Sequence, residues 1–239
     1  MFVDARRVAF VAICLLAVAF PLRAAKEPLL VCYGDSITAG YGVAYGEAYP
    51  DDLQEILNDR GYHYQVVNKG TSGATTKDAV AGLPLILDLH PAIAIVEFGG
   101  NDGLRGLPIA QTRANLDQVV AALVHAHIEV LVAGITLPPD YGPAYIHAFQ
   151  AIFPQVADKY HTALVPMLYK NLIHVPGVIQ PDGIHPTAKG ARIVAETLFP
   201  ALRPLLRKAE DKPGSRPTAE VLQPRPATKG MTPSLTPDT

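Results

Sequence analysis

The chain has 239 residues, a formal net charge of −2 from 20 basic and 22 acidic side chains, and 49% hydrophobic residues. That length buries a sizeable core without metal or disulfide staples, and the balanced charge gives no electrostatic reason to expect nucleic acid. Two cysteines, Cys14 and Cys32, cannot build a disulfide framework or a four-ligand zinc site.

Arg6 and Arg7 precede an apolar run from Val8 to Phe20, which gives way to Pro21-Leu22-Arg23-Ala24-Ala25. A basic start, an apolar stretch of about 7–15 residues and a small-residue exit have the form of a secretory signal peptide. The run is too short to span a bilayer core, for which a helix needs roughly 20 residues. Residues 1–25 are therefore read as a signal cut after Ala24 or Ala25, which places the mature protein in the periplasm or outside the cell. Ile13 is too bulky for lipoprotein processing at Cys14. Once the signal is removed only Cys32 remains, which an oxidising compartment tolerates.

Short apolar runs then alternate with amphipathic stretches. Leu29 to Tyr33 reads as a buried strand that stops at Gly34, Ala48 to Leu57 as helix, and Tyr64 to Asn68 as a second strand. Asp78 to Leu89 is helix-like but interrupted by Pro84, and Ala92 to Phe98 is the clearest strand, ending at Gly99-Gly100. Thr112 to His127 carries Leu116, Val119, Val120, Leu123 and Val124 on one helical face. Glu129 to Ile135 reads as strand, Ala144 to Tyr160 as helix, Thr162 to Val165 as a short strand, and Pro186 opens a helix towards Leu206. Beyond Arg207, six prolines, five threonines and only four scattered hydrophobes point to a flexible tail over residues 208–239.

Five strands with intervening helices predict one three-layer α/β domain over residues 26–207, built on a mostly parallel sheet. Ligands of such sheets gather outside the carboxyl ends of the strands. Gly34-Asp35-Ser36, Thr71-Ser72-Gly73 and Gly100-Asn101-Asp102 each follow a predicted strand directly. Taken singly, each is also an ordinary turn or helix cap. Asp182-Gly183-Ile184-His185-Pro186 adds an acid and a base three residues apart on one loop. A serine nucleophile needs a base, and the base needs a carboxylate to fix its tautomer. Ser36, His185 and Asp182 are the candidates for those roles, with Asn101 and the Gly73 N–H able to donate to an oxyanion.

These blocks carry a resemblance. GDSITAGYG (34–42), VVNKGTSGATT (66–76), FGGNDGLRG (98–106) and DGIHPT (182–187) resemble, in order, the four blocks of the SGNH hydrolases, also called GDSL esterases. GGNDGLRG and ITLPPDYG (135–142) are most similar to the bacterial periplasmic subgroup of thioesterase I, protease I and lysophospholipase enzymes with their arylesterase relatives. The resemblance implies a flavodoxin-like fold with a five-stranded parallel sheet and a Ser-His-Asp esterase working through an acyl-enzyme. It implies Ser36 as nucleophile, His185 as base, Asp182 as its carboxylate, and Ser36 N–H, Gly73 N–H and the Asn101 amide as the oxyanion hole. Asp35, Asp102, Gly103, Leu104 and Leu137 are expected to bind substrate, and Asp102 to Leu107 to form a mobile loop that closes on acyl chains. The second block departs from the pattern it resembles: this chain has Ala74 where that subgroup carries an acidic residue after the glycine, and Gly70 in place of a residue with a side chain.

The expected partner is a small acyl ester or lysolipid, with no cofactor, no metal, no nucleic acid and no membrane insertion of the mature, monomeric chain. Two rivals use the same residues. A metal-dependent phosphoesterase would employ Asp35, Asn101, Asp102 and His185, but the chain lacks an early Asp-X-His pair and enough well-placed histidines for two metals. A non-catalytic binding domain would have no use for an activated serine. His125 and His127 read as ordinary helix residues, and His63, His90, His147, His161 and His174 lack partners nearby in sequence. Arg105 reads as a solvated loop residue, Tyr141 and Tyr145 as packing residues or pocket lining, and Cys32 as a small buried hydrophobe.

Overall fold

The computed structural model describes residues 27–210; the predicted signal peptide and the predicted tail beyond residue 210 lie outside them. Strands β1 (Leu29–Gly34), β2 (Gln65–Gly70), β3 (Ile93–Glu97), β4 (Glu129–Ala133) and β5 (Ala163–Val165) form one sheet in the order β2-β1-β3-β4-β5. Every neighbouring pair is parallel, with Leu30 opposite Val66 and Ile93, and Leu131 opposite Ala163. β1 and β3 are buried on both sides, as continuous apolar runs such as LLVCYG and IAIVE require.

Parallel pairs need crossovers, and helices supply them. Helix α1 (Ser36–Ala39) and α2 (Tyr49–Asp59) connect β1 to β2, α3 (Thr76–Leu87) connects β2 to β3, and α4 (Gly100–Leu104) and α5 (Ile109–His125) connect β3 to β4. A 3₁₀ turn (Pro139–Tyr141), α6 (Pro143–Gln150) and α7 (Ile152–Tyr160) lead to β5, and α8 (Ala188–Glu210) ends the described chain. α2 packs with α8 over one face, and α3, α5 and α7 pack in a row over the other. This is the flavodoxin-like arrangement expected. The order reverses between β1 and β3, which puts the crevice favoured by ligands at the ends of those two strands.

Several elements differ from their predicted form. α3 runs unbroken through Pro84, whose ring is exposed while Leu83 and Ile86 anchor the helix inward. Its start moves back to Thr76 because Thr75 and Asp78 form a reciprocal cap. The single helix predicted over 144–160 is two, parted at Ala151. Pro154 cannot continue a helix over the carbonyl four residues earlier, that of Gln150. His127 lies beyond the end of α5 in the left-handed region, at φ 61°, rather than within the helix. Pro186 sits in an antiparallel bridge with Ile179 instead of opening α8. α8 continues past residue 207, burying Ala209 and pairing Lys208 with Glu129 at 2.8 Å.

Candidate active site

β1, buried from Leu30 onward, delivers the chain to Gly34, where a side chain is excluded: a Cβ would stand 2.7 Å from the Glu97 carbonyl and from its carboxyl Oε2. Asp35 caps α1 by accepting the Ile37 N–H on Oδ1 at 3.0 Å. Gly40 closes that single turn in the left-handed conformation, at φ 78°. Ser36 is therefore the first residue of α1, half-buried at the carboxyl end of β1. No helical carbonyl can receive its N–H.

The imidazole of His185 spans the gap from the far end of the chain. Its Nε2 lies 2.8 Å from Ser36 Oγ, and its Nδ1 lies 2.7 Å from Asp182 Oδ2. Asp182 Oδ1 also accepts the N–H groups of Ile184 (2.9 Å) and His185 (3.0 Å), so one carboxylate shapes the loop and orients the ring. Partial burial pushes the Asp182 carboxyl up, but the Ile184 N–H, the imidazole and the His185 N–H outweigh it and hold the carboxyl down at about 2. An ionised Asp182 draws the ring proton to Nδ1 and leaves Nε2 free to accept from Ser36.

The loop itself is braced at several points. Gln180 receives the Gly183 N–H at 3.0 Å and gives its own N–H to the His185 carbonyl at 2.8 Å. Its side-chain amide donates to the carbonyls of Tyr41 (2.7 Å) and Pro186 (2.8 Å), tying the histidine loop to the segment after α1. Tyr169 donates to the Ile184 carbonyl at 3.0 Å, and the Tyr41 ring leans on His185 with centroids 4.6 Å apart.

Asn101, on the first turn of α4, draws two more strand ends to this place. Its amide nitrogen donates to Asp35 Oδ2 at 3.1 Å and to the Ala74 carbonyl at 3.0 Å. The β1, β2 and β3 ends thereby meet, bringing Ser36, Gly73 and Asn101 into one neighbourhood. Gly73 takes φ 81°, its carbonyl accepts from Arg105 Nη2 at 2.9 Å, and a Cβ there would face that same guanidinium. Arg105 is thus engaged with the backbone beside the site rather than merely solvated.

The expected substrate-binding residues divide. Leu104 is half-exposed, whereas Gly103 and Leu137 are buried against one another and against Phe149. Asp35 and Asp102 are each 2% exposed and turned inward. Asp102 accepts the Thr76 N–H at 2.8 Å together with the Thr76 and Thr112 hydroxyls, which fastens α4 to α3 and α5. The first residues of the expected loop, Asp102 to Leu104, are helical and belong to α4 (Gly100–Leu104). Tyr141 and Tyr145 stack and donate to the carbonyls of Leu104 (2.6 Å) and Leu107 (3.1 Å). Among the described residues no three His, Cys, Asp or Glu side chains are placed to hold a metal ion, and no helix is long and apolar enough to cross a membrane.

Sequence reasoning passed over Gln180, Tyr41 and Glu97. Glu97 had a visible signal, a lone acid in the apolar strand AIAIVEF, and is 1% exposed. Gln180 and Tyr41 carried none, because their value lies in a contact spanning 139 residues.

Comparison with known proteins gives concordant matches. The model of the GDSL-like lipase/acylhydrolase family covers residues 32–193. Esterase TesA of Pseudomonas aeruginosa is 42% identical over 194 residues, spanning 81% of this chain and 96% of its own. Thioesterase 1/protease 1/lysophospholipase L1 of Escherichia coli is 37% identical over 194 residues, spanning 80% and 91%. A crystal structure of TesA superposes with a TM-score of 0.72 at 41% identity, covering 74% of this chain and 99% of the other.

Proposed function

This chain belongs to the GDSL-like lipase/acylhydrolase family, and we propose that it is a serine esterase cleaving carboxylic and thioesters of acyl chains through a Ser36 acyl-enzyme. The observation that carries the reading is the unbroken line from Asp182 through His185 to Ser36, with hydrogen bonds of 2.7 and 2.8 Å. Ser36 Oγ attacks the acyl carbonyl as His185 Nε2 takes its proton, and the carbonyl electron pair moves onto oxygen. The tetrahedral adduct collapses, the bond to the leaving oxygen or sulfur breaks, and the imidazolium returns the proton to that atom. Water, deprotonated by the same nitrogen, then releases the acid and restores Ser36.

The oxyanion is received by the N–H groups of Ser36 and Gly73 and by Asn101. Both Asn101 amide hydrogens are engaged at rest, so the oxyanion takes over one of them. The bond to the neutral Ala74 carbonyl is the weaker and the one that yields. Relatives named as an esterase and as a thioesterase and lysophospholipase support ester, thioester and lysolipid substrates as the chemical range. With residues 1–25 acting as an export signal, the enzyme meets esters and lysolipids of the envelope rather than cytosolic acyl thioesters.

A fluorophosphonate probe tests this. Stoichiometric adduct on the peptide carrying Ser36, with ester hydrolysis lost in parallel and EDTA without effect, is the expected result. Failure to label alongside loss of activity in EDTA overturns it in favour of metal-dependent hydrolysis.

A further inference from the structure

Beside the residues that flank the nucleophile, Asp35 and Thr38, lies a buried carboxyl that the reaction above does not use. Glu97 closes β3 and is 1% exposed. Its Oε2 accepts the Thr38 hydroxyl at 2.9 Å and the Asp35 N–H at 3.3 Å, while its main-chain carbonyl also accepts the Asp35 N–H at 3.2 Å. Thr38 in turn lies 3.1 Å from the Tyr49 hydroxyl. Among the described residues Glu97 Oε1 is the buried side-chain oxygen left without a partner. The neighbouring carboxyl is that of Asp35, which already accepts from Ile37 N–H on one oxygen and from Asn101 on the other.

Two ionised carboxylates side by side offer no hydrogen to each other, so an anionic Glu97 leaves Oε1 orphaned beside a like charge. A protonated Glu97 supplies the missing donor. We propose that Glu97 is a neutral carboxylic acid whose proton is donated to Asp35, making it a positioning residue that sets both Ser36 and Asn101. The assignment rests on Ser36 being the nucleophile. Through Asp35, one proton then fixes the cap of the helix that begins at Ser36 and one hydrogen bond of the expected oxyanion donor Asn101.

The titratable groups facing Glu97 are Asp35 at the β1–α1 junction, Tyr49 from α2 and Tyr169 from the segment after β5. None of these is a cation that could stabilise a second buried anion. Burial, first, and the Asp35 charge, second, push the Glu97 carboxyl well above its usual range. Asp35 accepts a hydrogen on each of its oxygens, whereas Glu97 has donors on Oε2 alone.

The test uses the mature protein with Glu97→Gln and Glu97→Leu. Glutamine keeps a neutral donor in nearly the same shape, so E97Q retains kcat within about tenfold, whereas E97L, which has no donor, loses on the order of 10²-fold in kcat at little cost in KM. The infrared spectrum of the wild type at neutral pH contains the carbonyl stretch of a protonated carboxylic acid, and this band is absent from E97Q. Should E97L fail to fold, the band and E97Q decide. A wild type without the band, or an E97Q as impaired as E97L, overturns the assignment. A wild type that shows the band but does not label at Ser36 instead overturns the nucleophile reading, leaving the state of Glu97 established.

Discussion

His185 Nε2 lies 2.8 Å from Ser36 Oγ across 149 residues of sequence. The imidazole is held there by a carboxylate on its own loop, so the base and its orienting group arrive together. Ser36→Ala removes the attacking oxygen without disturbing α1, whose cap is the Asp35 side chain. Turnover of a short acyl ester should fall by at least about 10⁴-fold, with circular dichroism and the unfolding midpoint unchanged. An alanine variant that still turns over at the wild-type rate places the chemistry elsewhere.

The pH dependence of stability follows from Asp182. Its carboxyl is held at about 2 in the folded protein against an ordinary 3.8, so folding favours the ionised form. The contribution is present above the ordinary value and is lost as pH falls from there towards about 2. With the Asp182 side chain 37% exposed, solvent screens it and the contribution is modest. Asp182→Asn should flatten the acid-side fall of the melting temperature across that window. Parallel curves for variant and wild type would contradict this. The same variant should lose on the order of 10³–10⁴-fold in kcat, because asparagine stabilises the wrong tautomer.

The site was legible in the sequence where its chemistry sits in short continuous blocks. Gly34-Asp35-Ser36 and Asp182-X-X-His185 each carry a local hydrogen bond of their own turn, so they stand out as candidates when read together, although each taken singly also reads as an ordinary turn. Asp35 and Asp102, expected to bind substrate, are both buried, and a sequence shows a charge but not which side of the backbone buries it. Asp102 is turned inward by Thr76 and Thr112, residues 26 and 10 positions away. The central strands β1 and β3 were legible from continuous apolar runs, while the edge strand β2 carries only the short Val66-Val67 pair. Helix breaks were less so: Pro84 and Pro154 look alike in sequence, but only Pro154 sits where two helices part.

Tyr141 and Tyr145 hold the carbonyls of Leu104 and Leu107 from across the crevice. If this segment closes on acyl chains, its latch should matter in proportion to chain length. The double variant Tyr141→Phe/Tyr145→Phe loses two hydrogen bonds, each worth about 1 kcal/mol. KM for long-chain esters should rise by up to about 30-fold, the equivalent of roughly 2 kcal/mol, while that for acetyl esters stays near the wild-type value. A uniform change across chain lengths would show that the tyrosines only stabilise the fold.

Gly103 tests whether the floor under Asn101 is set by packing. A Cβ at this position would stand 2.5 and 2.9 Å from the two Leu137 methyls and 3.0 Å from the Phe149 ring. Leu137 and Phe149 are buried, so neither can swing into solvent. Gly103→Ala should therefore cost about 1–3 kcal/mol by overpacking, at roughly 2–4 °C of melting temperature per kcal/mol. Leu137→Val removes the clashing methyl volume, so the pair should be less damaging than the sum of the single changes. Strict additivity in the double-mutant cycle would mean that the two side chains do not compete for this space.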